Sequence, residues 1–272
     1  MNQLRLLLRW FVLIWIAVIA AGPFVWILVT ALKGSEDIFA FPPALLPQDP
    51  GIRNFVEVFA IVPFGTYLLN SVLVSLASVV LNLLLASLAA YPLARMDFRG
   101  RRWVFLMILA TLMVPEQVTM IPVFRLLLEM GLLDTLAGVV LPTCVSAFGV
   151  FLIRQHYRSI PRELDEAAVM DGCSVLGIWW RILVPLSAPA LATLAVFTFV
   201  GTWSSFLWPL IVLQDPARYT LPVGLNALLS AFSANYKYLA AGAVLTLIPV
   251  VAVLLFFQRY LVRGMLAGGV KG

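Results

Sequence analysis

Of the 272 residues, 62% are apolar and only 11% charged, against roughly 25% charge in ordinary soluble domains. No soluble fold of this size can hide so much apolar surface, and the apolar runs are long and continuous, unlike the ten-residue alternating segments of a membrane barrel. The formal net charge of +5 sits on arginines at the ends of apolar runs, a mark of membrane topology rather than of a nucleic-acid surface.

The predicted fold class is therefore an all-α polytopic membrane protein. Six transmembrane helices are expected at about 10–32, 67–92, 103–127, 136–154, 186–213 and 238–260, within one transmembrane domain over 1–272. Arg5 and Arg9 precede an apolar run from Trp10 to Leu32. That run exceeds the core of a secretory signal, so it reads as an uncleaved first span.

Six spans put both termini on one side. If that side is cytoplasmic, the inner segments hold Arg5, Arg9, Arg95, Arg99, Arg101, Arg102, Arg154, Arg158, Arg162, Arg181, Arg259, Arg263 and Lys271. The outer ones hold only Lys33, Arg53, Arg125, Arg218 and Lys237. The excess of basic residues on cytoplasmic loops orients the chain with both termini inside.

In the second span Ser71, Ser75, Ser78 and Asn82 recur at helical spacing on one face, and Thr198, Thr202 and Ser205 make a shorter stripe in the fifth. Either stripe reads as a solute path or as close helix packing, and Asn82, hardest to satisfy in lipid, is the residue most suited to a path. In the third span Pro115 and Pro122 bracket Glu116, Gln117 and Thr119, which predicts a break followed by a short interfacial helix. Glu116 is then an intramembrane carboxylate on a pathway or, favoured by the break, a residue at headgroup level.

Between the fourth and fifth spans the segment 155–185 is too polar to cross. Pro161 suits a first helical turn, and Glu163, Asp165 and Glu166 complement the helix dipole. Ala167 and Ala168 continue that helix, Asp171 and Gly172 end it, and Trp179 to Ile182 form a second stretch before Pro185 opens the fifth span. The result is a helix–turn–helix at the cytoplasmic surface. Cys144 and Cys173 do not suggest a structural disulfide, His156 reads as interfacial, and no metal-ligand spacing or phosphate loop occurs.

Glu166, Ala167, Ala168, Gly172, Ile182 and Pro185 follow the spacing Glu-Ala-Ala, three residues, Gly, nine residues, Ile, two residues, Pro. This pattern, with Val184 in place of the usual leucine, resembles the membrane subunits of bacterial ABC importers. The likeness covers nearly the whole chain and is strongest to the shorter permease of the carbohydrate branch, which handles maltose, multiple sugars or glycerol 3-phosphate. It is carried by Asn70-Ser71, Tyr91 to Arg95, Pro115, Ile121-Pro122, Phe206 to Leu210, Thr220 to Leu225 and the tail Gly264 to Gly272. Trp203-Ser204 departs from the Trp-Asn common there.

The resemblance implies that the loop, with Asp171 among its residues, couples to an ATPase, and that Gly268, Gly269 and Lys271 of the tail reach between an ATPase pair. It implies as partners a second, different permease, two ABC ATPase subunits that bind the ATP, an extracytoplasmic solute-binding protein and membrane lipid. It places the chain in the bacterial inner membrane. The tail's Gly264, Gly268, Gly269 and Gly272 predict that it does not extend the last helix. An ion-coupled secondary transporter or channel is the alternative, disfavoured because no span shows a clear mid-membrane ionisable group. The lack of mid-span lysine or arginine tilts the solute toward a neutral, polyhydroxylated molecule.

Overall fold

The computed structural model describes residues 2–34, 46–47, 50–231 and 236–269, and gives the backbone alone for 2–4, 7, 227, 229–231 and 261–269. In chain order its helices are α1 (Asn2–Leu32), α2 (Arg53–Ile61), α3 (Phe64–Arg95), α4 (Arg101–Ala110), α5 (Glu116–Glu129), α6 (Leu136–Val140) and α7 (Ala147–Ser159). There follow α8 (Glu163–Met170), α9 (Val175–Ile178), α10 (Ala188–Trp203), α11 (Leu207–Val212), α12 (Leu221–Ala231) and α13 (Tyr236–Gly269). No strand occurs among the described residues.

The segments Leu8–Leu32 of α1, all of α3 and Tyr236–Tyr260 of α13 are each long and apolar enough to cross a membrane alone. Three bent pairs bring the total to as many as six: Arg101–Met113 with α5 at 101°, Leu136–Thr143 with α7 at 46°, and Val175–Leu186 with α10 at 78°.

The third apolar run breaks and a short helix follows, as its prolines predict, while the fifth run and the tail depart from the sequence reading. The break in the third apolar run falls at Val114–Pro115, but Pro122 lies inside the 14-residue α5 without ending it. One proline costs a single ladder bond, a loss that helices packed in membranes tolerate. The fifth run, expected to be continuous over about 186–213, stops at Trp203 and restarts at Leu207. There the Thr202 hydroxyl donates back to the Thr198 carbonyl at 2.8 Å, two serines follow, and Pro209 needs no helical acceptor in the first turn of α11. Finally, α13 continues to Gly269 through Gly264 and Gly268, against the expectation for the tail. Met265, Leu266 and Ala267 are good helix formers, and a glycine pair is best tolerated at the very end of a helix. Lys271 lies outside the described residues.

The chain divides into two compact units, residues 1–65 with 223–249 and residues 66–222 with 250–272. In the first, α1 exposes apolar side chains on every side, including Trp10, Phe11, Ile14 and Ile19, which only lipid or another membrane helix can accommodate. Its C-terminus is held by Asn54, whose amide donates to the carbonyls of Ala31 at 2.8 Å and Lys33 at 2.9 Å. Glu57 accepts from the Tyr238 hydroxyl at 2.6 Å, and this bond, then Arg53, holds its carboxyl below the ordinary value. A Cβ on Gly242 would lie 2.4 Å from Leu225, so only glycine allows α12 and α13 this approach without moving the leucine.

In the second unit, α3 is the central element. Its small residues Ala86, Ala90 and Ala94 and its Tyr91 form one core with Ile153 and Tyr157 of α7, Trp179 and Leu183, and Ala190 and Leu194 of α10. At its other end Val74 joins Leu127, Val139, Trp208 and Val212. The start of α3 is tied down by Asn70, donating to the carbonyls of Ala217 and Tyr219 at 3.0 Å, and by the Ser71 hydroxyl, accepting from the Leu221 N–H at 2.7 Å. Asp134, at a φ of 54° that Asp tolerates, accepts from the N–H groups of Gln214 and Asp215 at 2.9 and 3.0 Å. These bonds, Asp215 first, hold its carboxyl below the ordinary range, helped by Arg218.

Candidate functional site

Two constructions stand out, both in the second unit. The first is the loop after α7. Glu163, Asp165 and Glu166 fill the first turn of α8, where negative charge meets the positive helix end. The helix stops as its sequence predicts. Gly172 takes φ +77°, its N–H donates to the Val169 carbonyl at 3.0 Å, and that of Cys173 donates to Ala168 at 2.9 Å, a Schellman turn. Ser174 then caps α9 by accepting from the Gly177 N–H at 3.2 Å.

The residues Trp179–Leu183 form a π turn, leaving Leu183 and Trp179 buried and Trp180 exposed. Pro185 supplies a cause, because it has no N–H to close an α turn. The motif residues split between faces. Glu166, Ala167, Asp171, Gly172 and Pro185 are exposed, Ile182 is half-buried, and Ala168 is buried against its own chain. Only Ala167 of the alanine pair is thus free to meet a partner closely. Around it Leu164, Val169, Met170, Val175, Leu176 and Trp180 are all exposed, Met170 to 87%.

The second construction is a cavity of 320 Å³ where the two polar stripes meet. Asn82, Thr198, Thr202 and Ser205 line it, together with Glu116, Thr143, Ser146, Phe148 and Phe197. Asn82 is itself a three-way brace. Its amide donates to Thr198 Oγ1 at 2.8 Å and Ser146 Oγ at 3.2 Å, and its Oδ1 accepts from the Ser146 N–H at 3.1 Å. Ser146 also caps α7, accepting from the Gly149 N–H at 3.0 Å.

Phe148 and Phe197 stand edge to face with centroids 5.7 Å apart, the arrangement favoured by ring quadrupoles. Glu116 is exposed, and among the described residues no basic side chain pairs with it. A smaller cavity of 80 Å³ shares Glu116 and Thr143 and adds Thr119 and Trp208, whose buried Nε1–H meets no acceptor among the described residues.

Ser71, Ser75 and Ser78 stand elsewhere. Ser71 serves the α12 start, while Ser75 and Ser78 are fully buried with hydroxyls that have no described partner. The sequence reading missed Thr143, Ser146, Phe148 and Phe197, since only the fold brings residues 64 or 116 positions away to Asn82. Among the described residues no cluster of His, Cys, Asp and Glu could hold a metal.

Residues 82–267 match the family described as the binding-protein-dependent transport system inner membrane component. The chain belongs to this family. It is 39% identical over 263 residues to the arabinooligosaccharides transport system permease protein AraQ of Halalkalibacterium halodurans, covering 94% of this chain and 93% of that one. To the sn-glycerol-3-phosphate transport system permease protein UgpE of Yersinia enterocolitica it is 34% identical over 245 residues, 87% of each.

Among solved structures, a chain of a bacterial ABC transporter involved in the import of the acidic polysaccharide alginate superposes with a TM-score of 0.84 at 26% identity, over 95% of this chain and 97% of that one. The family member is thus a multi-pass membrane permease of a binding-protein-dependent importer, and its relatives are transport proteins rather than enzymes. A secondary transporter or channel finds no support in these likenesses.

Proposed function

We propose that this chain pairs with a second, different permease to form the path of an ATP-driven importer for a neutral oligosaccharide, and that the exposed face of α8 and α9 docks a separate ATPase subunit. The observation that carries the docking is the cluster of exposed apolar side chains, Leu164, Val169, Met170, Leu176 and Trp180, set around Glu166 and Ala167 on a loop too polar to cross the bilayer. A patch of this kind marks an interaction surface. Glu166 supplies a charge for a basic group on the partner and fixes orientation. The end of α13, including Gly268 and Gly269, and Lys271 beyond it approach the same ATPase pair, and both termini face the cytoplasm.

The solute passes the cavity at Asn82. Its hydroxyl and amide groups match a polyhydroxylated ligand, its two phenylalanines offer apolar faces for sugar rings, and its Glu116 carboxylate disfavours anions. Relatives named for arabinooligosaccharides and diacetylchitobiose agree with such a solute. A solute-binding protein on the outer face delivers it; a bacterial alginate ABC transporter of the same fold is known in complex with an alginate pentasaccharide-bound periplasmic protein.

Glu166→Lys tests the docking. The residue is exposed, so the isolated fold loses little, about 0.5 kcal/mol or less. At a docked interface a like charge set against a basic group costs roughly 2–5 kcal/mol, or one or more orders of magnitude in affinity. The variant inserts normally but loses ATPase subunits on detergent extraction. ATPase retention equal to wild type, with normal uptake, refutes the docking surface.

A further inference from the structure

The loop is fastened to the chain at one buried ion pair that its motif does not include. Arg95, the last residue of α3, places its Nε 3.0 Å from Asp165 Oδ2 on α8, with the arginine side chain 5% exposed and the aspartate 19%. Its Nη2 donates to the Ile160 carbonyl, at the join of α7 and α8, at 3.0 Å. A second arginine completes the knot. Arg154 of α7 donates from Nε to the Leu93 carbonyl at 3.0 Å, satisfying an acceptor in the last turn of α3, and lays its guanidinium over Phe105 at 3.8 Å.

Behind these polar links, Tyr91 and Ala94 of α3 share a core with Trp179 and Leu183 of the loop's second half. Both halves of the loop are therefore attached to one helix. That helix runs unbroken from Arg95 back to Asn82 at the cavity, about 20 Å at 1.5 Å per residue.

We infer that Arg95 and Asp165 are positioning residues that lock α8 to the end of α3, so that loop and helix move as one body and motion at the docking face is delivered along α3 to the cavity wall. The inference rests on the docking reading above for its direction of use. The lock needs both charges, because Arg95, with its side chain 5% exposed, would without Asp165 be a buried ion lacking a counter-charge. Arginine suits the task, since its planar fork reaches the carboxylate and the Ile160 carbonyl together, which lysine's single ammonium cannot do in the same geometry.

The test uses the assembled transporter, this chain with its partner permease and ATPase subunits, with Cys144 and Cys173 replaced by serine. Nitroxide labels are placed at the exposed Met96 and at the exposed Glu163 of α8, outside the docking cluster, and their separation is measured by pulsed dipolar spectroscopy without nucleotide and after trapping with ATP and vanadate. The unsubstituted pair gives one narrow distance, the same in both states. Asp165→Asn, close to isosteric, broadens the distribution at least twofold, and the exchange Arg95→Asp with Asp165→Arg narrows it again. A separation that shifts on trapping in the parent, or a width unchanged by Asp165→Asn, overturns the lock. Failure of the docking surface itself is read separately, from ATPase retention in Glu166→Lys, which labels on this chain do not report.

Discussion

Asn82→Leu removes the donor to Thr198, the acceptor of the Ser146 N–H and the exchange with the Ser146 hydroxyl. Side-chain hydrogen bonds between membrane helices average about 0.6 kcal/mol each and reach about 1.7. The bonds with the Thr198 and Ser146 hydroxyls amount to roughly 1 kcal/mol on that average, and the Ser146 N–H, left without its acceptor, adds about 1–3 kcal/mol. The apolar leucine recovers part of this through packing, so a net loss of about 1–3 kcal/mol is expected. At roughly 2–4 °C per kcal/mol for a chain of this size, the thermal midpoint falls by about 2–12 °C.

Ser75→Ala is the matched comparison. Its hydroxyl is fully buried with no described partner, so its removal costs nothing in hydrogen bonding and leaves the midpoint within about 1 °C of wild type. The assay is thermal unfolding of the detergent-solubilised complex together with uptake by cells expressing each variant. Uptake falls more in Asn82→Leu than in Ser75→Ala, because Asn82 also walls the cavity. Equal midpoints and equal, wild-type uptake in the two variants would refute the assignment of Asn82 as both brace and cavity wall.

Glu116→Gln keeps the side-chain shape and removes the charge. Charge-assisted hydrogen bonds are about twice as strong as neutral ones, so losing about 1 kcal/mol on a solute hydroxyl slows solute uptake roughly fivefold with ATPase retention unchanged. Uptake at the full rate places Glu116 outside the path. For orientation, cysteines at Ser159 and Gln214 in a background lacking Cys144 and Cys173 should differ toward an impermeant thiol reagent, with only position 214 labelled in intact cells. Labelling of 159 alone reverses the topology.

The membrane class and the loop were readable because their signals are local. A continuous apolar run and a glycine obliged to adopt positive φ need no knowledge of neighbours, and Gly172 stands where that logic puts it. The failures share one cause. Whether Ser204 and Ser205 end a helix depends on what the freed backbone groups meet in the packed structure. The stripe over Ser71, Ser75, Ser78 and Asn82 is one face by periodicity, yet its members have different surroundings along α3: a loop N–H at Ser71, the buried interior at Ser75 and Ser78, and the cavity at Asn82. Glu116 illustrates the same limit, since a broken helix places a carboxylate near water without saying that the water fills a cavity facing Asn82.

The alanine pair of the loop carries a further consequence. With Ala168 buried and Ala167 exposed, the two residues perform opposite tasks one position apart on α8. A larger side chain at 168 would push α8 away from its own chain, on the side where Asp165 meets Arg95, whereas one at 167 would obstruct only an incoming partner. A helix of eight residues, Glu163–Met170, has too little intrinsic stability to hold its own shape in water. Its form must come from what grips it: the Schellman turn at Gly172, the ion pair at Asp165 and the close seat of Ala168. An element built this way is stiff only while it remains attached to α3, which is the condition under which the proposed docking would move the helix rather than unwind the loop.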